Sequence, residues 1–160
     1  MDRVRRELIA RLDPWSYWVV DPAAEVGGDL AVVGTTGGFL LAVCGLDGYL
    51  EAGGDRLSVD GAPVLGFREV KAGAKRVRSM LAGRAVFTEV VPMICLSRAK
   101  AGTSRTVRGV RVVRLEDLAS EVAGREKTLS ANRAQRGAEA VGTVVASGQG
   151  ALPDVEEPEA

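Results

Sequence analysis

Two neighbouring apolar runs limit what this chain can fold into. Residues 29–34 read DLAVVG and residues 38–44 read GFLLAVC, with Thr-Thr-Gly-Gly at the turn between them. A short apolar run bounded by turn residues is a strand, and two such runs across a tight turn are a hairpin. The runs are nearly continuous rather than alternating. A strand of that kind is covered on both faces, so the pattern predicts a central sheet with helices packed over it.

The rest of the chain supplies those helices. Residues 3–12 form an amphipathic helix with Val4, Leu8, Ile9 and Leu12 on one stripe, stopped by Asp13-Pro14. A brief strand follows at 18–20, where Trp15, Tyr17 and Trp18 are expected to cover one edge of the core. A weaker, more exposed strand or hairpin is expected over 49–59 and the main helix over 64–82, led by Pro63, with Val70, Ala74, Val77 and Leu81 inward. Gly73 within it either weakens the helix or lets it approach the sheet closely. Residues 86–96 and 110–113 read as strands around a polar loop at 97–108, and 115–123 and 127–141 as helices. The small residues of the last helix suit packing against another chain or against this domain's own core. The order α-β-β-β-α-β-β-α-α predicts one α/β domain over residues 1–147, with a mixed central sheet flanked by helices.

Composition narrows the chemistry. The 160 residues include no histidine, which excludes His-ligated zinc and His-dependent nucleophilic triads. Cys44 and Cys95 sit in apolar runs and read as buried free thiols. No stretch is long and apolar enough to span a bilayer, so no membrane partner is expected and the cytoplasm is the expected location. Residues 148–160 carry four of the 21 acidic residues and none of the 21 basic ones, leaving the rest of the chain at +4. That acidic segment reads as disordered, serving either solubility or a shield over a basic face in cis.

The stretch DLAVVGTTGGFLLAVCGLDG at 29–48 resembles the core hairpin of the nuclease-related domain family, whose fold is similar to that of restriction endonucleases. Asp29 stands at the family's aspartate, Gly37 at its turn glycine, Gly48 at the glycine after the active-site strand, and Pro63 at the proline before the next helix. The resemblance implies a restriction-endonuclease-like core. The family's Glu-x-Lys falls on Ala42-Val43-Cys44, its first histidine on Leu30, and its glutamine near Gly66, while Glu7 is the only remnant of the first-helix motif. Without a second carboxylate and the lysine, a Mg²⁺ ion and its activated water lose their holders. The resemblance therefore implies no cofactor and a non-catalytic domain that binds or scaffolds a protein or nucleic acid. Asp29 itself is either a residual metal ligand or a strand-leading aspartate bonded to backbone. The competing reading is a Mg²⁺-dependent nuclease with a migrated site, drawn from Asp47, Glu51, Asp60 and Glu69, with Asp29, Glu69 and Lys71 as the set to test. A third is a structural assembly subunit, with a homo-oligomer or protein partner.

Two basic clusters offer contacts to a duplex backbone. One is Arg68, Lys71, Lys75, Arg76, Arg78 and Arg84 along the main helix. The other is Arg98, Lys100, Arg105, Arg108, Arg111 and Arg114. Either can equally be a solvated face. Aromatics are 4% of the chain and none interleave with these charges, which disfavours single-strand stacking.

Overall fold

The computed structural model describes residues 2–53, 56–100 and 104–146. The expected acidic segment at 148–160 lies outside the described residues. The elements are α1 (Asp2–Arg11), β1 (Tyr17–Pro22), β2 (Leu30–Gly34), β3 (Gly37–Cys44), β4 (Gly48–Gly53), β5 (Arg56–Val59), β6 (Ala62–Pro63), α2 (Phe67–Ala82), β7 (Val90–Leu96), β8 (Ala99–Lys100), β9 (Arg105–Val107), β10 (Val110–Arg114), α3 (Leu115–Ala123), α4 (Ala131–Val141) and β11 (Gly142–Ala146). The chain is α/β with a mixed sheet, as its apolar runs predict. The main sheet runs β11-β1-β2-β3-β7-β10-β9, and a smaller sheet runs β6-β5-β4-β8. From β1 to β3 the strands are antiparallel; α2 then crosses over so that β7 lies parallel to β3, and β10 parallel to β7.

The continuous apolar strands have the expected cause. Along β2 and β3, Leu30, Val32, Phe39 and Leu41 face α1 and α3, while Ala31, Val33 and Leu40 face α2 and α4. All seven are buried, and each of the larger ones contributes on the order of 1.5–3 kcal/mol. The two-residue turn Thr35-Thr36 is docked rather than solvated. Thr35 O accepts from Thr128 N at 2.7 Å and Leu129 N at 3.1 Å, and Thr36 Oγ1 donates to Val122 O at 2.8 Å.

Several boundaries differ from the sequence reading. Helix α2 starts at Phe67 rather than 64, because Gly66 adopts a left-handed φ of 102° and Pro63 belongs to β6. Strand β7 starts at Val90, leaving 86–89 as a loop. The polar loop at 97–108 contains β8 and β9. Helix α4 starts at Ala131, where Ser130 Oγ accepts from Arg133 N at 3.2 Å. Strand β11 was not expected: Gly142 turns the chain into an extended segment that pairs antiparallel with β1. Trp15 is 46% exposed in the turn after α1, whereas Tyr17 and Trp18 are buried. Helix α4 completes this domain's own core, since a Cβ on Gly137 would come within 2.8 Å of Leu81 Cδ2.

Gly73 is required for close approach. A Cβ there would lie 2.6 Å from Leu40 Cδ2 and 2.6 Å from the backbone oxygen of Val26. Helix propensity alone favours Gly73→Ala by about 1 kcal/mol. The backbone clash outweighs it, and the substitution is expected to destabilise the fold by roughly 1–3 kcal/mol, read from the denaturation midpoint.

Candidate functional site

Asp29 precedes β2 and is exposed. Its N–H donates to Leu41 O at 2.8 Å, and its carboxylate Oδ2 accepts from Val43 N at 2.8 Å. The side chain thus adds one rung to the β2–β3 ladder where β2 has not yet begun. The same end of β3 is tied on its other edge, with Ser97 N and Ser97 Oγ both donating to Cys44 O, at 3.1 and 3.3 Å. Ala42 and Cys44 point to the α2 side, half-buried. A Cβ on Gly66 would sit 3.8 Å from that of Ala42. Cys95 is buried on the other face, and burial, then the Glu116 charge, push its thiol up to about 12.

The remaining acidic candidates are dispersed. Glu69 is exposed in the first turn of α2, while Lys71 donates its amine to Arg108 O at 2.9 Å on the β9–β10 turn. Asp47 pairs with Arg98 at 3.5 Å. Asp60 accepts from Tyr49 N at 2.9 Å, and its carboxylate fills the space beside Gly48, where a Cβ would be only 2.2 Å from Asp60 Oδ2. Glu51 is exposed on β4. Among the described residues, no three acidic or cysteine side chains are grouped to hold a metal ion.

The cations separate into those held and those presented. Arg111 makes a two-point contact with Glu121, at 2.7 and 3.3 Å, and Arg114 reaches Asp117 at 3.2 Å, so both fasten α3 to β10. Arg76 donates to Val26 O at 2.9 Å. Lys100 lies over the Tyr49 ring at 5.9 Å, and Arg108 over the Phe67 ring at 4.4 Å. Arg105 is half-buried, and Arg68 and Arg84 are exposed.

Lys71, Lys75 and Arg78 are brought together. They recur at helical spacing on α2 and line a groove of about 230 Å³ whose floor is Val90 and Pro92. Among the described residues, none of the three is ion-paired. Glu89 lies on the same groove. The groove sits at the start of β7, whereas Asp29 sits near the end of β3, which runs parallel to it. Val90 is level with Gly38 and Cys95 with Val43, a separation of roughly 17 Å along the strands. Sequence reasoning missed the other members of this surface, Phe87, Glu89 and Arg125. The reading of 86–96 as one buried strand hid Phe87 and Glu89, which lie exposed in the loop before β7.

Comparison with protein-family models, curated proteins and solved structures finds no match to this chain. The residues themselves carry the functional argument. Among the described residues, no helix is long and apolar enough to cross a membrane.

If Asp29 is an extra ladder rung, Asp29→Ala loses an exposed hydrogen bond and about 1 kcal/mol of stability. Asp29→Asn keeps an acceptor and most of that stability. Chemical denaturation of the three proteins side by side is the check, and equal midpoints would show that the bond contributes nothing.

Proposed function

We propose that this chain is a non-catalytic binding module with a restriction-endonuclease-like core, related to the nuclease-related domain, and that it holds the phosphate backbone of duplex nucleic acid on the cations of α2. The order of a helix, three antiparallel strands, a crossover helix and a strand parallel to the third supports that core. So does the meeting of Ala42 with Gly66, the positions at which the resembled family carries its glutamate and glutamine. In this chain the meeting is between residues that hold no metal. Asp29, the carboxylate left in place, accepts a backbone hydrogen bond.

The observation that carries the binding reading is the row Lys71, Lys75 and Arg78 on one groove, with no acidic partner among the described residues. Lysine and arginine in such a row neutralise phosphates without reading bases, and release condensed counterions as they do so. Arg111 and Arg114, already paired with α3, contribute little to such a contact.

Three phosphate contacts set a slope of roughly −3 for log affinity against log salt on duplex DNA. Replacing both Lys75 and Arg78 by glutamate is expected to weaken binding and flatten that slope, while Asp29→Ala leaves both unchanged. With Mg²⁺ or Mn²⁺ present, gels are expected to show intact duplex. Metal-dependent cleavage that disappears in Asp29→Ala would overturn this reading in favour of an enzyme using Asp29, Glu69 and Lys71. No binding at low salt would remove nucleic acid as the ligand and leave a protein partner or a second copy of the chain.

A further inference from the structure

The cationic groove on α2 does not end at Arg78. Three adjoining cavities, of about 510, 300 and 230 Å³, form one trough along the edge of the sheet where β7 begins. Phe87 and Glu89 are shared by the first two, and Arg78 and Glu89 by the last two. Passing along the trough, the cations are Arg125, which also pairs with Glu121 at 3.5 Å, and then Arg78, Lys75 and Lys71, which among the described residues have no acidic partner. Glu89 and Glu126 offset part of that charge and leave it positive. Phe87 is 70% exposed beside it, an unusual position for a large apolar ring. The trough therefore suits an extended segment that carries several negative charges with small apolar residues among them.

We propose that the occupant is this chain's own segment Leu152–Glu159, docked in cis. Its sequence, LPDVEEPE, has Asp154, Glu156, Glu157 and Glu159 with Leu152 and Val155 between and before them, and no basic residue. The topology delivers it to the correct end of the sheet. Strand β11 is antiparallel to β1, β1 to β2 and β2 to β3, and β3 is parallel to β7. The chain consequently leaves β11 at the end of the sheet where β7 starts, which is the end that carries the trough. The reach suffices. Four strand spacings separate β11 from β7, or roughly 19 Å. The eight residues from Ala146 to Asp154 span up to roughly 27 Å when extended. Holding the segment in cis raises its effective concentration at the trough well above that of a free acidic peptide.

Docking there places carboxylates on the cations assigned above to phosphate, so a ligand of the groove must displace the segment. The proposal uses the same cations as the duplex reading but needs no nucleic acid, and it is tested without any.

Zero-length carbodiimide coupling of the full chain at low protein concentration, read by peptide mass spectrometry, joins carboxylates to amines in contact. The expected product is monomeric, with Lys75 or Lys71 linked to Asp154, Glu156, Glu157 or Glu159, and with Lys100 linked far less. Arg78→Glu with Arg125→Glu leaves both lysines in place and is expected to reduce those links several-fold, as is half-molar salt. Three results would each overturn the proposal: links confined to a dimeric product, which would make a second copy the occupant; links spread equally over Lys100; or no link from the segment to α2. A failure here leaves the duplex reading standing, and a failure of duplex binding leaves this result unaffected.

Discussion

Burial of β2, β3 and β7 on both faces is the constraint from which the architecture follows. A strand with Leu40 on one side and Phe39 and Leu41 on the other has no face to give to water. It needs a helical layer above and another below. Helices α2 and α4 supply one layer, α1 and α3 the other. Close seating of α2 then depends on Gly73, which lets the helix meet the Val26 backbone and Leu40. The tight Thr35-Thr36 turn is held by the chain entering α4 and by the end of α3. Strand β11 adds a further strand outside β1.

That packing decides what the polar residues can do. At the end of β3 the carboxylate of Asp29, the oxygen of Cys44 and the side chain of Ser97 are all engaged in holding backbone. The chemistry there is that of a closed strand end. At the start of β7, by contrast, α2 presents Lys71, Lys75 and Arg78 over an apolar floor of Val90 and Pro92. Two ends of one sheet thus have opposite characters, one knitted shut by hydrogen bonds and one lined with cations. The proposed binding of spaced negative charges rests on the second.

The strands at 30–34 and 37–44 and the inward face of α2 were legible in the sequence because their signal is local. Periodicity and turn chemistry specify them without reference to distant residues. Strand β11 was not legible, since Gly142–Ala146 becomes a strand by pairing with β1 more than a hundred residues earlier. The two basic clusters were legible as charge but not as surface. Arg111 and Arg114 lie in the same basic segment as Lys100, yet α3 brings Glu121 and Asp117 to them, a pairing that spacing does not reveal. Arg125 joined the trough for the converse reason: it follows α3 in sequence and comes to line one cavity with Phe87 only through the fold. Asp29 was open to two readings in the sequence, and its bond to Val43 fits the structural one.

Backbone-amide NMR mapping of the full chain during titration with duplex DNA tests the division between the two ends most directly. The account predicts that shifts concentrate at Lys71, Lys75, Arg78, Glu89 and Gly109, with Asp29, Val43 and Ser97 unmoved. Shifts centred on Asp29, Val43 and Ser97, with α2 silent, would place the ligand at the end of β3 and contradict it.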